Sequence, residues 1–115
     1  MSKKENYLKG KMGESLALEY LKKNKYKILE TNFTCKIGEI DIIAIMKKKY
    51  IFVEVKNRSS DRFGMPREAV NYYKQQKIRM VAQVYLKMKH KEDADCQFDV
   101  IEVLDGEINH IENCF

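Results

Sequence analysis

Two acidic residues and a lysine in the middle of the chain have the types and the spacing of a hydrolytic site. The stretch from Gly38 to Lys56 reads GEIDIIAIMKKKYIFVEVK, in which apolar residues alternate with a second set that contains Asp41 and Glu54. Alternation with a period of two predicts two strands, and the polar residues around Lys47 and Lys48 predict the turn between them. We therefore expect a β-hairpin.

The register of this hairpin decides whether the three side chains meet. A turn centred between Lys47 and Lys48 places Asp41 directly opposite Glu54. Opposed side chains share a face with Cβ atoms roughly 4.5–5.5 Å apart, and Lys56 lies on the same face because it is two residues beyond Glu54. A slip of one residue would send the two acids to opposite faces. This register predicts that two carboxylates and an amine converge.

Two ionised carboxylates at this separation repel each other, so the pair needs a compensating feature. The acids can share a proton, be neutralised by Lys56, or hold a divalent cation such as Mg²⁺, which prefers carboxylate oxygens and substrate phosphates. Alternatively, Lys56 pairs with Glu39 across the hairpin in an ordinary ion pair worth under about 1 kcal/mol. Spacing alone leaves these explanations open.

Composition sets the class of protein. The 115 residues predict a single domain over residues 1–115, and the net charge of +5 favours polyanionic partners such as nucleic acid. The chain has no apolar run of about 18 residues, and its N-terminus lacks an apolar segment after the first charges, so we expect a soluble, unexported protein. Cys35, Cys96 and Cys114 have no zinc-ligand spacing, which predicts reduced thiols in the cytoplasm.

An amphipathic helix is predicted from about Asn6 to Asn24. Its apolar residues recur at steps of three and four, and they are Leu8, Met12, Leu16, Ala17, Tyr20 and Leu21. Glu14 lies beside this apolar stripe. It is either a boundary carboxylate tied to a lysine or a third acid that reaches toward the hairpin.

A second helix is predicted from Pro66 to about Met88, after a polar and basic loop that carries Arg58 and Arg62. Its buried side is expected to consist of Val70, Tyr73, Val81, Ala82 and Tyr85. Lys74 and Lys77 either form a solvated face or contact phosphates beside the basic loop.

Three further strands complete the predicted order α-β-β-β-α-β-β, a mixed central sheet flanked by two helices. They span Lys25 to Thr34, Cys96 to Leu104, and Glu107 to Ile111, and the turn Asp105-Gly106 is typical of a hairpin between the last two.

Five ordered motifs resemble the YraN-like family of bacterial proteins, which are predicted endonucleases. These motifs are G-x-x-G-E, G-E-I-D-x-I, F-V-E-V-K, K-Q-x-K and F-D-V, and they extend from Gly10 toward the C-terminus. More remotely, the chain is similar to archaeal Holliday junction resolvases and to the PD-(D/E)XK nucleases, whose fold is restriction-endonuclease-like.

The resemblance implies a role for each matching residue. Asp41 would be the first-motif acid, Glu54 and Lys56 the E-x-K pair, and Glu14 the helix-borne acid. Mg²⁺, with Mn²⁺ as a substitute, would be held by Asp41, Glu54 and the Val55 carbonyl, while Lys56 would position or deprotonate water. Arg58, Arg62, Lys74 and Lys77 would contact nucleic acid.

Three functions are therefore compared. The first is a metal-dependent DNA endonuclease, acting on branched or damaged DNA in repair or recombination. The second is a non-catalytic nucleic-acid-binding protein that keeps the fold, although binding alone does not need clustered acids. The third is an interaction protein whose acids are paired with lysines. Paired cuts would require two copies of one small domain, so a nuclease is expected to act as a homodimer.

Overall fold

The computed structural model describes residues 3–58 and 70–115, with side chains described from residue 11 onward. In this part of the chain the elements are α1 (Lys3–Lys23), β1 (Lys27–Thr34), β2 (Glu39–Met46), β3 (Lys49–Arg58), α2 (Tyr72–Met88), β4 (Cys96–Leu104) and β5 (Glu107–Ile111). The predicted order α-β-β-β-α-β-β is confirmed, and so are the bounds of β4 and β5.

The strands form a five-stranded sheet in the order β1-β2-β3-β4-β5. All neighbouring pairs are antiparallel except β3 and β4, which are parallel. A parallel pair needs a long crossover connection, and α2 lies in the segment that joins β3 to β4. The sheet is therefore mixed, as predicted.

The two helices pack on opposite faces of the sheet. Ala17 and Leu21 of α1 pack with Ile42 and Val53 in one apolar cluster. Ile78, Val81 and Tyr85 of α2 pack in the other cluster with alternate strand residues, which include Ile43 and Phe52. The period-two alternation in the sequence thus separates the two layers of the core.

The predicted hairpin register is confirmed. Ile42 lies opposite Val53, and Met46 lies opposite Lys49. Asp41 and Glu54 are the next positions beyond the pair Ile42 and Val53, and both line the cavity that residues of α2 also line. The acids therefore share the α2 side of the sheet.

The turn between β2 and β3 has left-handed backbone conformations at two lysines. Lys47 has a φ of 50° and Lys48 a φ of 68°. Positive φ at both central residues is the type I′ turn, whose twist matches that of a hairpin and which favours Asn-Gly. For a residue with a Cβ, this conformation costs roughly 1–2 kcal/mol, so pairing of the flanking strands holds the turn in place.

The second helix begins later than predicted. Asn71 caps α2 by accepting a hydrogen bond from the backbone nitrogen of Lys74 at 2.9 Å, and Val70 lies in a bend. The helix is therefore not continuous from Pro66, which lies outside the described residues. The prediction that Tyr73 is buried is also wrong, because its exposed fraction is 69%. A four-residue step back from buried Ile78 reaches Lys74, so Tyr73 lies beside the inward stripe.

In α1 the inward stripe consists of Gly13, Ala17 and Leu21, which recur at steps of four. The prediction that Met12 and Leu16 face inward is wrong, because the exposed fraction is 66% for Met12 and 36% for Leu16. The reason is a close approach of helix to sheet: a Cβ on Gly13 would lie 2.9 Å from the Cβ of Asn57. Because glycine has no Cβ, the helix can approach the sheet closely at this position, which turns Gly13 rather than Met12 inward.

No helix in the described ranges is both long and apolar enough to cross a membrane. Cys35, Cys96 and Cys114 form no disulfide bond with one another.

Replacing Lys47 and Lys48 together by Asn-Gly should stabilise the protein by about 1 kcal/mol, because the new pair adopts the type I′ turn with less strain. Urea denaturation measures the change in unfolding free energy. The control is the double alanine variant, which removes the same charges and keeps the strain, and it should bring no gain. Equal stabilisation by both variants would show that the lysine charges, and not the backbone conformation, lower the stability of this turn.

Gly13→Ala should lower the unfolding free energy by roughly 1–3 kcal/mol, since the added methyl group overlaps Asn57. A loss of stability would be evidence for the overlap, because alanine has the higher helix propensity and would otherwise stabilise α1. Ser15→Ala, at an exposed position of the same helix, should be neutral or slightly stabilising. Thermal melting of both variants distinguishes the effects, and a Gly13→Ala protein as stable as Ser15→Ala would contradict the close contact.

Candidate active site

Asp41 and Glu54 lie on adjacent strands at the edge of the core. The backbone nitrogen of Val55 donates a 2.8 Å hydrogen bond to Asp41 Oδ2, which fixes this carboxylate against β3. Glu54 is 4% exposed, and its Oε2 lies 3.4 Å from Lys74 Nζ. Its other oxygen, Oε1, is buried and has no hydrogen-bond partner in the described part of the chain.

The two acids line an open cavity of about 540 Å³ between the hairpin and the start of α2. This cavity brings together six of the predicted site residues, which are Asp41, Glu54, Val55, Lys56, Lys74 and Lys77. Its volume falls within the roughly 300–1,000 Å³ typical of ligand pockets. The alternative ion pair between Glu39 and Lys56 is absent from the contacts of the described residues; the cation next to Glu54 is Lys74 of α2.

The environment favours the protonated form of both carboxyls. Burial raises the pKa of Glu54 to about 7, and the Asp41 charge adds to the rise while Lys74 and Lys56 oppose it. Burial also raises the pKa of Asp41, although the hydrogen bond from Val55 acts in the opposite direction. Both carboxyls therefore bind a proton more readily than isolated ones do, and a bound cation would oppose this by offsetting their charge.

The two lysines of the cavity differ in proton affinity. Burial lowers the pKa of Lys56 to about 8, and the adjacent Lys74 ammonium lowers it further than the nearby acids raise it. For Lys74, burial lowers the pKa, but the hydrogen bond to Lys56 and the charge of Glu54 outweigh burial and raise it overall. Lys74 is therefore the stable cation, and Lys56 is the amine that more easily releases its proton.

Glu14 approaches the acid pair indirectly. Asn32 of β1 donates a 2.8 Å hydrogen bond to Glu14 Oε1. Asn32 lies between the paired residues Thr31 and Phe33, which places it opposite Asp41, and its φ of 51° is one that asparagine tolerates. The Glu14 charge contributes to the raised pKa of Asp41. Glu14 is thus tied to an asparagine, whereas the boundary interpretation expected a lysine.

The basic residues predicted to contact nucleic acid have different surroundings. Arg58 Nε lies 3.3 Å from Glu102 Oε2, an ion pair without hydrogen-bond geometry in which the arginine side chain is 19% exposed. Its charge is therefore largely engaged within the protein. Lys77 is exposed and lies on the cavity rim, with its Nζ 4.9 Å from the ring centroid of Tyr73. Arg62 lies outside the described residues.

A second polar cluster was missed by the sequence reasoning, although Asp99 belongs to the F-D-V motif. Asp99 is fully buried and accepts hydrogen bonds from Gln97 Nε2 and the backbone nitrogen of Asn113, each 2.9 Å long. His110 Nε2 lies 2.7 Å from Asp99 Oδ2, and His110 Nδ1 lies 3.0 Å from the Tyr20 hydroxyl. These contacts tie α1, β4 and β5 together.

Asp99, His110 and Glu112 also have the spacing of a metal-ligand group, with one candidate ligand atom from each within 4.8 Å of the others. However, the hydrogen bonds to Asp99 satisfy both of its oxygens. This contrasts with Glu54, which keeps a buried oxygen without a partner in the described residues. The Asp99 cluster is thus explained by structural hydrogen bonding.

The fold and the cavity define a class: an α/β protein with an acid pair and lysines between a β-hairpin and a helix. A family model described as "Uncharacterised protein family UPF0102" matches residues 13–103. A UPF0102 protein of Caldanaerobacter subterraneus is 51% identical over 113 residues, which cover 92% of this chain and 93% of the relative. One from Clostridioides difficile is 49% identical over 112 residues, covering 96% and 98% of the two chains.

The chain belongs to the UPF0102 family. This result confirms the resemblance to the YraN-like family. The residues matched by the family model, 13–103, include Glu14, Asp41, Glu54 and Lys56.

Glu54→Gln should make the protein more stable than wild type above pH 7. The folded pKa of Glu54, about 7, exceeds its ordinary value of 4.5, so the folded state binds the extra proton. Wild-type unfolding free energy therefore falls as pH rises from 4.5 to 7, and the variant avoids a loss on the order of 1–3 kcal/mol.

Urea denaturation at pH 4 and pH 8 in EDTA measures this difference. Glu107→Gln, which removes an exposed acid from β5 of the same sheet and outside the cavity, is the matched control, and its stability relative to wild type should change little between the two pH values. An advantage of Glu54→Gln that is as large at pH 4 as at pH 8 would contradict the assigned cause.

Proposed function

We propose that the protein is a metal-dependent endonuclease that hydrolyses phosphodiester bonds in DNA. The observation that carries this proposal is the buried Oε1 of Glu54, which has no hydrogen-bond partner among the described residues and lies in the cavity that Asp41 and Lys56 also line. An unsatisfied buried polar atom costs about 1–3 kcal/mol, more when charged. An acid kept under these conditions is explained by a ligand that it binds.

The residues of the cavity fit a hard divalent cation. Mg²⁺ takes oxygen ligands and is typically bound by one or two carboxylates together with substrate phosphates. Asp41 and Glu54 would provide the carboxylates, and the Val55 carbonyl would provide a third oxygen. When bound, the cation would supply charge stabilisation at the phosphate and a lower pKa for water.

Lys56 is suited to moving a proton. Its pKa of about 8 leaves part of the population as free amine near neutral pH, and a general base works best when its pKa is close to the working pH. In the proposed reaction, Lys56 Nζ accepts a proton from the attacking water or holds that water in position. Both roles require an amine at this place in the cavity.

Lys74 has a different role because it keeps its proton. Its side chain is 43% exposed, and its Nζ lies 3.4 Å from Glu54 Oε2. We assign it to orienting the substrate phosphate, with Glu54 as its partner before substrate arrives. Glu14, through Asn32, would add negative charge next to Asp41 and so strengthen the attraction for a cation.

A non-catalytic DNA-binding protein is the competing function. Exposed Lys77 suits either function, but buried carboxylates in the cavity would repel phosphates unless a cation were present. A homodimer would allow paired cuts across a branched substrate. In the sheet order, β5 is an edge strand and could support such an interface.

Cleavage of labelled linear, flapped and four-way DNA with Mg²⁺ or Mn²⁺ tests the proposal. The wild type should cut in Mg²⁺ and not in EDTA. Asp41→Asn should lose Mg²⁺ binding and cleavage, and Lys56→Ala should cut at least about 100-fold more slowly while binding DNA nearly as well as wild type.

Lys87→Ala is the matched lysine control, because Lys87 is exposed in the last turn of α2 and does not line the cavity. It should cut at the wild-type rate. Mg²⁺ binding without any cleavage would support the non-catalytic alternative, and undiminished cleavage by Lys56→Ala would contradict the role of that lysine.

A further inference from the structure

Two exposed tyrosines stand at the start of α2, next to the acid-lined cavity. The exposed fraction is 75% for Tyr72 and 69% for Tyr73. Of the two, Tyr73 lines the cavity, together with Asp41, Glu54 and Lys56. Large exposed aromatic groups beside a polar cavity mark binding surfaces, because their rings gain from being covered.

The ring of Tyr73 is supported from one side. Lys77 is one helical turn further along α2, and its ammonium lies 4.9 Å from the ring centroid, a cation–π contact. Most of Tyr73 stays exposed in spite of this contact. The pair therefore presents an aromatic surface and a positive charge together, which are the two components of sites that bind single-stranded nucleic acid.

We propose that Tyr73 is a stacking surface for an unpaired DNA base next to the phosphodiester bond that is cut, an inference that rests on the proposed function. Within a continuous duplex both faces of a base are covered by its neighbours, and exposing one costs a few kcal/mol of unstacking. A base that is already unpaired avoids this cost. The substrate class is thus DNA with an unpaired nucleotide at the cleavage point, such as a flap or a single-stranded branch.

The distribution of charge in the cavity agrees with this substrate. Glu54 is buried at the inner end, whereas Lys77 is exposed at the rim. A phosphate that follows the unpaired base would meet Lys77 first and Lys74 next, before it reaches the acids. Stacking on Tyr73 does not depend on base identity, because every base has an aromatic face.

The test measures binding with Ca²⁺ in place of Mg²⁺, because Ca²⁺ also takes carboxylate oxygens and the acids of the cavity would repel phosphates without a cation. Gel electrophoresis checks that the DNA stays intact during the measurement. Fluorescence anisotropy compares a single strand, a flapped duplex and a continuous duplex of the same sequence. Tyr73→Leu should bind the first two about tenfold more weakly than wild type and leave the affinity for continuous duplex unchanged. Tyr73→Phe, which keeps the ring, should bind like wild type.

Tyr72→Leu is the matched control, because Tyr72 is at least as exposed but does not line the cavity. It should bind all three DNAs like wild type. A 2-aminopurine base at the unpaired position reports stacking directly: its fluorescence should be quenched by wild type and by Tyr73→Phe, and not by Tyr73→Leu. Circular dichroism checks that each variant is folded.

Several results would overturn the inference. The first is that Tyr73→Leu binds unpaired DNA as tightly as wild type does. The second is that Tyr73→Leu weakens binding to continuous duplex as much as binding to unpaired DNA. The third is that the wild type does not bind unpaired DNA. Failure of the proposed function gives a different result: Tyr73-dependent quenching would persist while no DNA is cut in Mg²⁺. Conversely, if Tyr73→Leu cuts flapped DNA in Mg²⁺ as fast as wild type does, the proposed nuclease activity stands and the stacking role of Tyr73 is wrong.

Discussion

The parity of the β2–β3 turn is the constraint on which the rest of the structure depends. With two residues in the turn, Asp41, Glu54 and Lys56 share one face of the sheet, and a slip of one residue would divide them between the two core layers. The turn is formed by two lysines in the left-handed conformation, which neither of them prefers. Pairing of β2 with β1 and of β3 with β4 maintains this register on both sides. The length of this two-residue turn thus determines whether the candidate site can form.

Helix α2 serves both the core and the cavity. Ile78, Val81 and Tyr85 bury its apolar stripe, and the same stripe continues to Lys74, which is the ion-pair partner of Glu54. The cap at Asn71 fixes where the first turn begins and hence where this ammonium lies. On the opposite face, the Asp99 cluster has its carboxylate oxygens satisfied by hydrogen bonds, whereas Glu54 has not. Hydrogen bonds within the fold account for the buried Asp99, whereas the unpartnered oxygen of Glu54 is the observation behind the proposed cation site.

Much of the fold could be predicted because it depends on local patterns. Period-two spacing within β2 and β3 predicts the hairpin, its register and the shared face of the acids, although Ile40 and Ile42 pack in different clusters of the core. Asp105-Gly106 predicts the last turn, where φ is 49° and 85°. Helix faces were predicted less well. Apolar residues such as Met12 and Tyr73 proved exposed, because small Gly13 and polar Lys74 occupy the inward positions that periodicity assigned to larger groups.

The sequence by itself determined the order of elements and the meeting of Asp41, Glu54 and Lys56, since both follow from the period of a strand and the length of a turn. Only the tertiary structure decided the partners of these groups. Lys74 lies next to Glu54, Asn32 holds Glu14, and Glu102 engages Arg58. Each of these contacts joins two different elements of the fold, and each depends on how a helix is rotated or which strands are neighbours. Burial is likewise a property of the packed molecule, so the raised pKa of Glu54 and the lowered pKa of Lys56 exist only after the layers have closed around them.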